Sequence, residues 1–143
     1  MNKSLATIFG ADYKVSFSEK GYQDLNHQLT NNYSAIFLLV DKNTQKYCLP
    51  HFLDKIKVLR DKPVISIEAG EVNKHLETCK QVWNQLSELG ADRKSLLINL
   101  GGGVLTDLGG FVAAAFKRGI HFINIPTTLL SMVDASVGGK TGV

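Results

Sequence analysis

Three clusters carry residue types that could do chemistry: Gly101, Gly102 and Gly103 ahead of Asp107, the pair Thr127–Thr128 behind Pro126, and Lys140 among Gly138, Gly139 and Gly142. The glycines follow the apolar run 95–100 and precede Val104, Leu105, Leu108, Phe111 and Val112, which recur at helical spacing. Strand, glycine turn and helix together bring backbone N–H groups and a helix N-terminus up to a phosphate. A missing Cβ lets a ligand approach the main chain closely. A tight turn without a ligand would account for the glycines alone. Asp107 adds a carboxylate able to accept from a ribose or substrate hydroxyl, although an acid near a helix N-terminus is also favourable by itself. The spacing differs from the common dinucleotide fingerprint, because Thr106 stands where G-x-G-x-x-G has its third glycine. The turn also follows a late strand rather than the first of its unit.

The run 134–141, Asp-Ala-Ser-Val-Gly-Gly-Lys-Thr, lies one residue from a phosphate-binding P-loop, with Asp134 in place of the first glycine. A P-loop needs a strand immediately before it, whereas 129–133 reads as helix, so a P-loop NTPase is disfavoured. Lys140, on a backbone that can be approached closely, suits a cation that grips phosphate or carboxylate; the alternative is a solvated surface lysine. His27, His51, His75 and His121 show no ligand spacing, and the pair His75 and Cys79 at i, i+4 reads as packing, so no metal centre within the chain is expected.

These residues need elements to hold them. Runs 5–9 and 14–17 read as a hairpin or two edge strands, and Ser18 is expected to cap a helix with Tyr22, Leu25 and Leu29 on one face. Runs 35–40, 64–67, 95–100 and 120–125 read as buried parallel strands. Between them fall a weak helix over 45–53, interrupted by Pro50, and a helix that Asn73 can cap, with Leu76, Cys79, Trp83 and Leu86 as its apolar stripe and Gly90 at its end. The alternation predicts an α/β fold, a Rossmann-like parallel sheet with helices on both faces. Ligands of such sheets gather beyond the carboxyl ends of the strands. Asp41 and Asn43, Gly70 and Glu71, the three glycines, and Thr127 and Thr128 each stand just after a strand, so four strands deliver polar or glycine residues to one edge.

Composition limits the alternatives. A chain of 143 residues with 44% hydrophobic and 20% charged residues has the size and make-up of one globular domain. A net charge of +3 with scattered lysines gives nucleic-acid binding little support. Isolated Cys48 and Cys79, no membrane-length apolar run and no signal-peptide layout point to a soluble cytoplasmic protein with reduced thiols. The stop at Val143, inside a glycine-rich run, is read as a fragment of a longer chain.

The runs 101–111 (GGGVLTDLGGF), 122–143 (FINIPTTLLSMVDASVGGKTGV), AGEVNKHLET at 69–78 and DKN at 41–43 resemble the 3-dehydroquinate synthase family from about residue 35 to 143. The resemblance implies the N-terminal NAD-binding domain of a two-domain enzyme, with the C-terminal helical, metal-binding domain absent. It places Asp41 and Asn43 on the adenosine side of NAD, and Gly70, Glu71, Val72, Asn73 and Lys74 near its ribose. Gly102, Gly103, Val104, Leu105 and Thr106 then lie along the pyrophosphate. Asp107, Thr127, Thr128 and Leu130 complete the pocket towards the nicotinamide, while Asp134 and Lys140 face the junction of NAD and substrate as cofactor-binding and catalytic residues. A zinc or cobalt ion would be held by a Glu and two His beyond this chain. Thr106 departs from the glycine common before the Asp, and is expected to adjust the contacts to NAD.

By resemblance the intact enzyme converts 3-deoxy-D-arabino-heptulosonate 7-phosphate to 3-dehydroquinate and phosphate through transient oxidation by NAD. It would act as a homodimer on a small sugar-acid phosphate, with no nucleic acid or membrane partner, and the fragment alone would be inactive. The rivals are a sister sugar-phosphate cyclase making an inosose or valiolone, and a nucleotide-binding module without turnover. A glycerol-dehydrogenase-like enzyme shares the glycine and threonine features, but the run LLSMVDASVGGKTG does not fit its pattern.

Overall fold

The computed structural model describes residues 7–10 and 13–133, so the expectations for Asp134 and Lys140 lie outside the described residues. Two compact units divide at Asn32 and Tyr33. In the first, β1 (Ile8–Phe9) pairs antiparallel with β2 (Lys14–Val15), as the alternating runs predict. Helix α1 (Ser18–Gln28) follows and buries Leu25. Ser18 does not cap it. Phe17 holds the extended cap position without a side-chain bond, and Ser18 is the first helical residue, at φ 51. The Asp24 carboxylate organises this unit by accepting from Lys20 Nζ at 2.7 Å and Ser16 Oγ at 2.5 Å. The Lys20 bond first, then the Ser16 bond, lower its pKa to about 2.

The second unit is a four-stranded parallel sheet. Its strands are β3 (Ile36–Asp41), β4 (Val64–Ile67), β5 (Leu96–Gly101) and β6 (His121–Pro126), in the order β4-β3-β5-β6. The chain moves outward from β3 to β4, crosses back to β5 and continues outward to β6. Right-handed crossovers therefore send the helices before and after β4 to opposite faces. Helices α4 (Leu76–Glu88) and α5 (Gly103–Ala115) share one face, where Cys79, Val82, Leu86, Leu105, Leu108 and Val112 pack on Phe37, Leu39, Ile65, Ile67 and Leu97. The alternate residues Leu38, Val40, Leu96, Ile98 and Leu100 are buried as well, so both faces are covered and the strands read as unbroken apolar runs.

The connection between β3 and β4 is the main departure from the sequence. Instead of one helix over 45–53 it holds α2 (Lys42–Tyr47) and α3 (Leu49–Lys55), split at Cys48, with Pro50 in the first turn of α3, where its missing N–H costs nothing. Helix α4 is capped by His75, whose Nδ1 accepts from Thr78 N–H, and not by Asn73, which lies in a 3₁₀ turn (Glu71–Asn73) and donates to the Ala69 carbonyl. The stripe on α4 starts at Thr78 and Cys79, because Leu76 in the first turn is exposed. Trp83, in the apolar stripe, anchors α4 to α5: its indole N–H donates to the Val112 carbonyl at 3.0 Å. Gly90 ends α4 at φ 81, a conformation suited to glycine.

Candidate functional site

The sheet reverses its winding between β3 and β5, so the carboxyl ends of these strands flank the switch point where open α/β sheets bind ligands. Asp41 ends β3 and Gly101 ends β5. Gly70 follows β4, and Thr127 and Thr128 follow β6. The four strand ends stand along one edge, as the sequence predicts.

The glycine turn is tightly built. A Cβ at Gly101 would overlap Leu105, and one at Gly102 would come within 3.2 Å of Thr128 Cγ2. The Gly101 carbonyl accepts from Thr127 N–H at 3.0 Å, tying the ends of β5 and β6 together. Helix α5 begins its own ladder with Thr106 N–H donating to the Gly102 carbonyl, so the N–H groups of Gly103, Val104 and Leu105 have no partner inside the helix. Over 13 residues the peptide dipoles add to partial positive charge at this end.

Asp107 and Lys74 are the charged centre. Lys74 Nζ donates to Asp107 Oδ2 at 2.8 Å, with side-chain exposures of only 20% and 16%. The second oxygen, Asp107 Oδ1, is buried without a hydrogen-bond partner among the described residues, an unmet acceptor on a fixed carboxylate. Glu71 approaches Lys74 at 3.8 Å but is largely exposed, so it adds little to the pair. The α4–β5–α5 scaffold thus presents one oriented acceptor beside a row of donors, which matches the ribose and pyrophosphate of a dinucleotide.

The other expected residues divide by position. Asn43, Val72, Thr128 and Leu130 are exposed at this edge, Gly70 turns the chain there at φ 103, and Asn73 and Thr127 are half-buried. Asp41 is also the N-cap of α2: its Oδ1 accepts from Thr44 N–H at 2.8 Å, and Thr44 Oγ1 accepts from Asp41 N–H, a capping box that explains an acid here without any ligand. Thr106 is fully buried, its hydroxyl donates to the Gly102 and Gly103 carbonyls, and its N–H donates to the Gly102 carbonyl, so it supports the turn from within. Leu105 is likewise buried and can contribute only its N–H. Among the described residues no group of three His, Cys, Asp or Glu could hold a metal ion, and no helix is long and apolar enough to cross a membrane.

Two features escaped the sequence reading. Arg93, Lys94, Lys117 and Arg118, far apart in the chain, come together with Asp92 around an open cleft of about 650 Å³ at the opposite, amino edge of the sheet. Lys117 and Arg118 sit there at φ 47 and 70, left-handed values that cost non-glycine residues energy. The second is an amide pair in which the buried Asn99 on β5 donates to the half-buried Asn124 on β6.

Comparisons with known proteins bear on the family and the fold. The family model described as "3-dehydroquinate synthase N-terminal" matches residues 64–143. A 3-dehydroquinate synthase of Parabacteroides distasonis is 51% identical over 111 residues, covering 78% of this chain and 31% of that protein. One from Campylobacter jejuni is 48% identical over 110 residues, covering 77% and 31%. The chain thus spans under a third of these relatives. Among solved structures, a 2-deoxy-scyllo-inosose synthase complexed with carbaglucose-6-phosphate, NAD⁺ and Co²⁺ superposes with a TM-score of 0.81 at 24% identity, over 96% of this chain and 38% of that one, a likeness of fold. A 2-epi-5-epi-valiolone synthase from Streptomyces hygroscopicus with NAD⁺ and Zn²⁺ bound gives a TM-score of 0.72 at 28% identity, over 97% and 39%.

Proposed function

This chain belongs to the 3-dehydroquinate synthase family, and on that premise we propose that it is the NAD-binding part of an enzyme converting 3-deoxy-D-arabino-heptulosonate 7-phosphate to 3-dehydroquinate and phosphate, in the shikimate route to aromatic amino acids. The observation that carries the reading is Asp107, held by Lys74 through one oxygen while the other stays buried and unpartnered beside the α5 amides. When bound, NAD supplies a reversible hydride acceptor for a ring hydroxyl of the substrate.

The chain's own residues do the binding and orienting. The Gly103 and Val104 N–H groups, in the glycine turn begun by Gly102, meet the pyrophosphate, and Asp107 Oδ1 accepts a ribose hydroxyl while Lys74 keeps the carboxylate from turning. Asp41 and Asn43 serve the adenosine side, with Gly70, Glu71, Val72 and Asn73 beside them. Thr127, Thr128 and Leu130 border the nicotinamide end. Exposed Leu129, Leu130 and Met132 supply apolar surface there that excludes water once covered. Asp134 and Lys140 belong, by the family pattern, at the junction with substrate, where the lysine would stabilise negative charge. Among the described residues no cluster fits a metal ion; by the family pattern its ligands belong to a further, helical domain.

The reading is tested by phosphate release from the heptulosonate phosphate with NAD⁺ and zinc or cobalt, using the longest product of the gene and its Lys140→Ala variant. NAD-dependent release that the substitution suppresses is expected; no release, with NAD⁺ still bound, would transfer the assignment to a sister cyclase. A valiolone synthase is 28% identical over nearly the whole chain, well below the 51% of the Parabacteroides 3-dehydroquinate synthase, so the cyclase reading stands second; other sugar phosphates in the same assay would reveal it. The chain of 143 residues alone is expected to bind NAD⁺ weakly, and a submicromolar Kd would contradict this.

A further inference from the structure

Asn99 and Gly109 form a contact that the proposed function does not explain. Asn99 is fully buried on β5, two residues before Gly101, and its Nδ2 donates to Asn124 Oδ1 on β6 at 3.0 Å. The two residues are direct register partners, so the bond runs straight across the strands. On the α5 side the Asn99 amide lies against Gly109, where a Cβ would overlap the amide oxygen, carbon and nitrogen. Asn99 Oδ1 has no hydrogen-bond partner among the described residues. An unmet buried acceptor is unfavourable, and a leucine here would satisfy the core better, so the amide is not accounted for by burial alone.

Its position offers a reason. The Gly101–Gly103 turn is the pivot between β5 and α5, and Asn99 and Gly109 stand on opposite sides of that pivot. Their contact fixes how closely α5 lies on the sheet, and therefore the tilt of the helix about the turn. Tilt moves the N–H groups of Gly103 and Val104. The Asn124 bond keeps the amide from swinging away and links it to the strand whose end carries Thr127 and Thr128. One small amide therefore sets three parts of the ligand edge against each other.

We infer that Asn99, locked by Asn124 and seated against Gly109, is a positioning residue that sets the height of the α5 amide cradle for the cofactor. The use of NAD⁺ as probe rests on the function proposed above, whereas the position of the cradle amides does not. The test uses ¹⁵N-labelled chain, following the Gly102, Gly103 and Val104 amide resonances without ligand and then titrating NAD⁺. Asn99→Ala, which fits beneath Gly109, should shift those three resonances in the ligand-free protein and weaken NAD⁺ about tenfold. Asn124→Ala should act in the same direction. Gly109→Ala should disturb the cradle more, and Asn99→Ala added to it should restore folding and part of the affinity by removing the obstructing amide. Unshifted cradle resonances and affinity within twofold of the parent in Asn99→Ala, whatever its Tm, would overturn the inference. So would a double variant no better than Gly109→Ala. A parent chain that binds no NAD⁺ at millimolar concentration would instead remove the cofactor assignment, and the resonance shifts would still decide the positioning role.

Discussion

At the carboxyl edge of the sheet, the charges of Lys74 and Asp107 are paired at 2.8 Å and largely sheltered from solvent. At the amino edge Arg93, Lys94, Lys117 and Arg118 stand around an open cleft, and among the described residues none of them forms an ion pair. The difference separates two uses of charge. A sheltered pair with one unmet oxygen is a specific acceptor, since low local polarity strengthens the bond that a correct ligand makes and penalises one that fails to make it. Exposed cations in a wet cleft add a diffuse field, screened by salt within about 10 Å.

Substitutions at the two edges should therefore behave differently. The largest effect is expected for Asp107→Ala, which removes the buried acceptor and the 2.8 Å bond to Lys74; NAD⁺ affinity should fall about 100-fold, close to 2.7 kcal/mol, by titration. Lys94→Ala and Lys117→Ala should leave it within twofold. If an amino-edge substitution weakened NAD⁺ as much as Asp107→Ala, the comparison would collapse. Next comes stability: Lys74→Met strands a mostly buried carboxylate and should cost about 1–3 kcal/mol in denaturant unfolding, against about 0.5 kcal/mol or less for Lys117→Met. Equal losses would mean the Lys74–Asp107 pair is no more than a surface contact.

The smallest effect lies at the amino edge and depends on pH. Asp92 accepts from Ser34 Oγ, from Lys94 N–H at 2.8 Å and from Ser95 Oγ, and the Ser34 bond first, then the Lys94 bond, hold its pKa below the ordinary 3.8. A depressed carboxylate contributes stability above its unfolded pKa and loses it as pH falls through the folded value, so the loosening belongs below about pH 3.8. Hydrogen exchange at the Lys94 amide should accelerate there, and Asp92→Asn should reproduce this at neutral pH. Exchange that ignores both changes would show that the carboxylate does not hold this loop.

The sequence disclosed the sheet and its ligand edge because both follow from local pattern. Strand β4 reads correctly to the residue, framed by Pro63 and Glu68, and α6 (Leu129–Val133) does too. Features set by partners distant in sequence were not legible. Helices α2 and α3 merge in the sequence because the break at Cys48 has no glycine to mark it. The capping box of Asp41 and Thr44 is readable locally, since an acid three residues before a threonine at a strand end suits an N-cap as well as a ligand. That the Thr106 hydroxyl turns back onto the Gly102 carbonyl of its own helix is a matter of side-chain geometry that sequence does not state. The amino-edge cations and the Asn99–Asn124 pair depend on which strands become neighbours, which one sequence does not state.

Trp83 has a practical consequence. It is the single tryptophan of the chain, and its indole holds the Val112 carbonyl near the far end of α5 while its ring lies 6.2 Å from that of Phe111. Any rocking of α5 about the glycine turn pulls on that bond, so the protein carries an intrinsic optical gauge at the end of the lever opposite its ligand. A change in tryptophan emission on adding nucleotide would register the motion of the helix without a label.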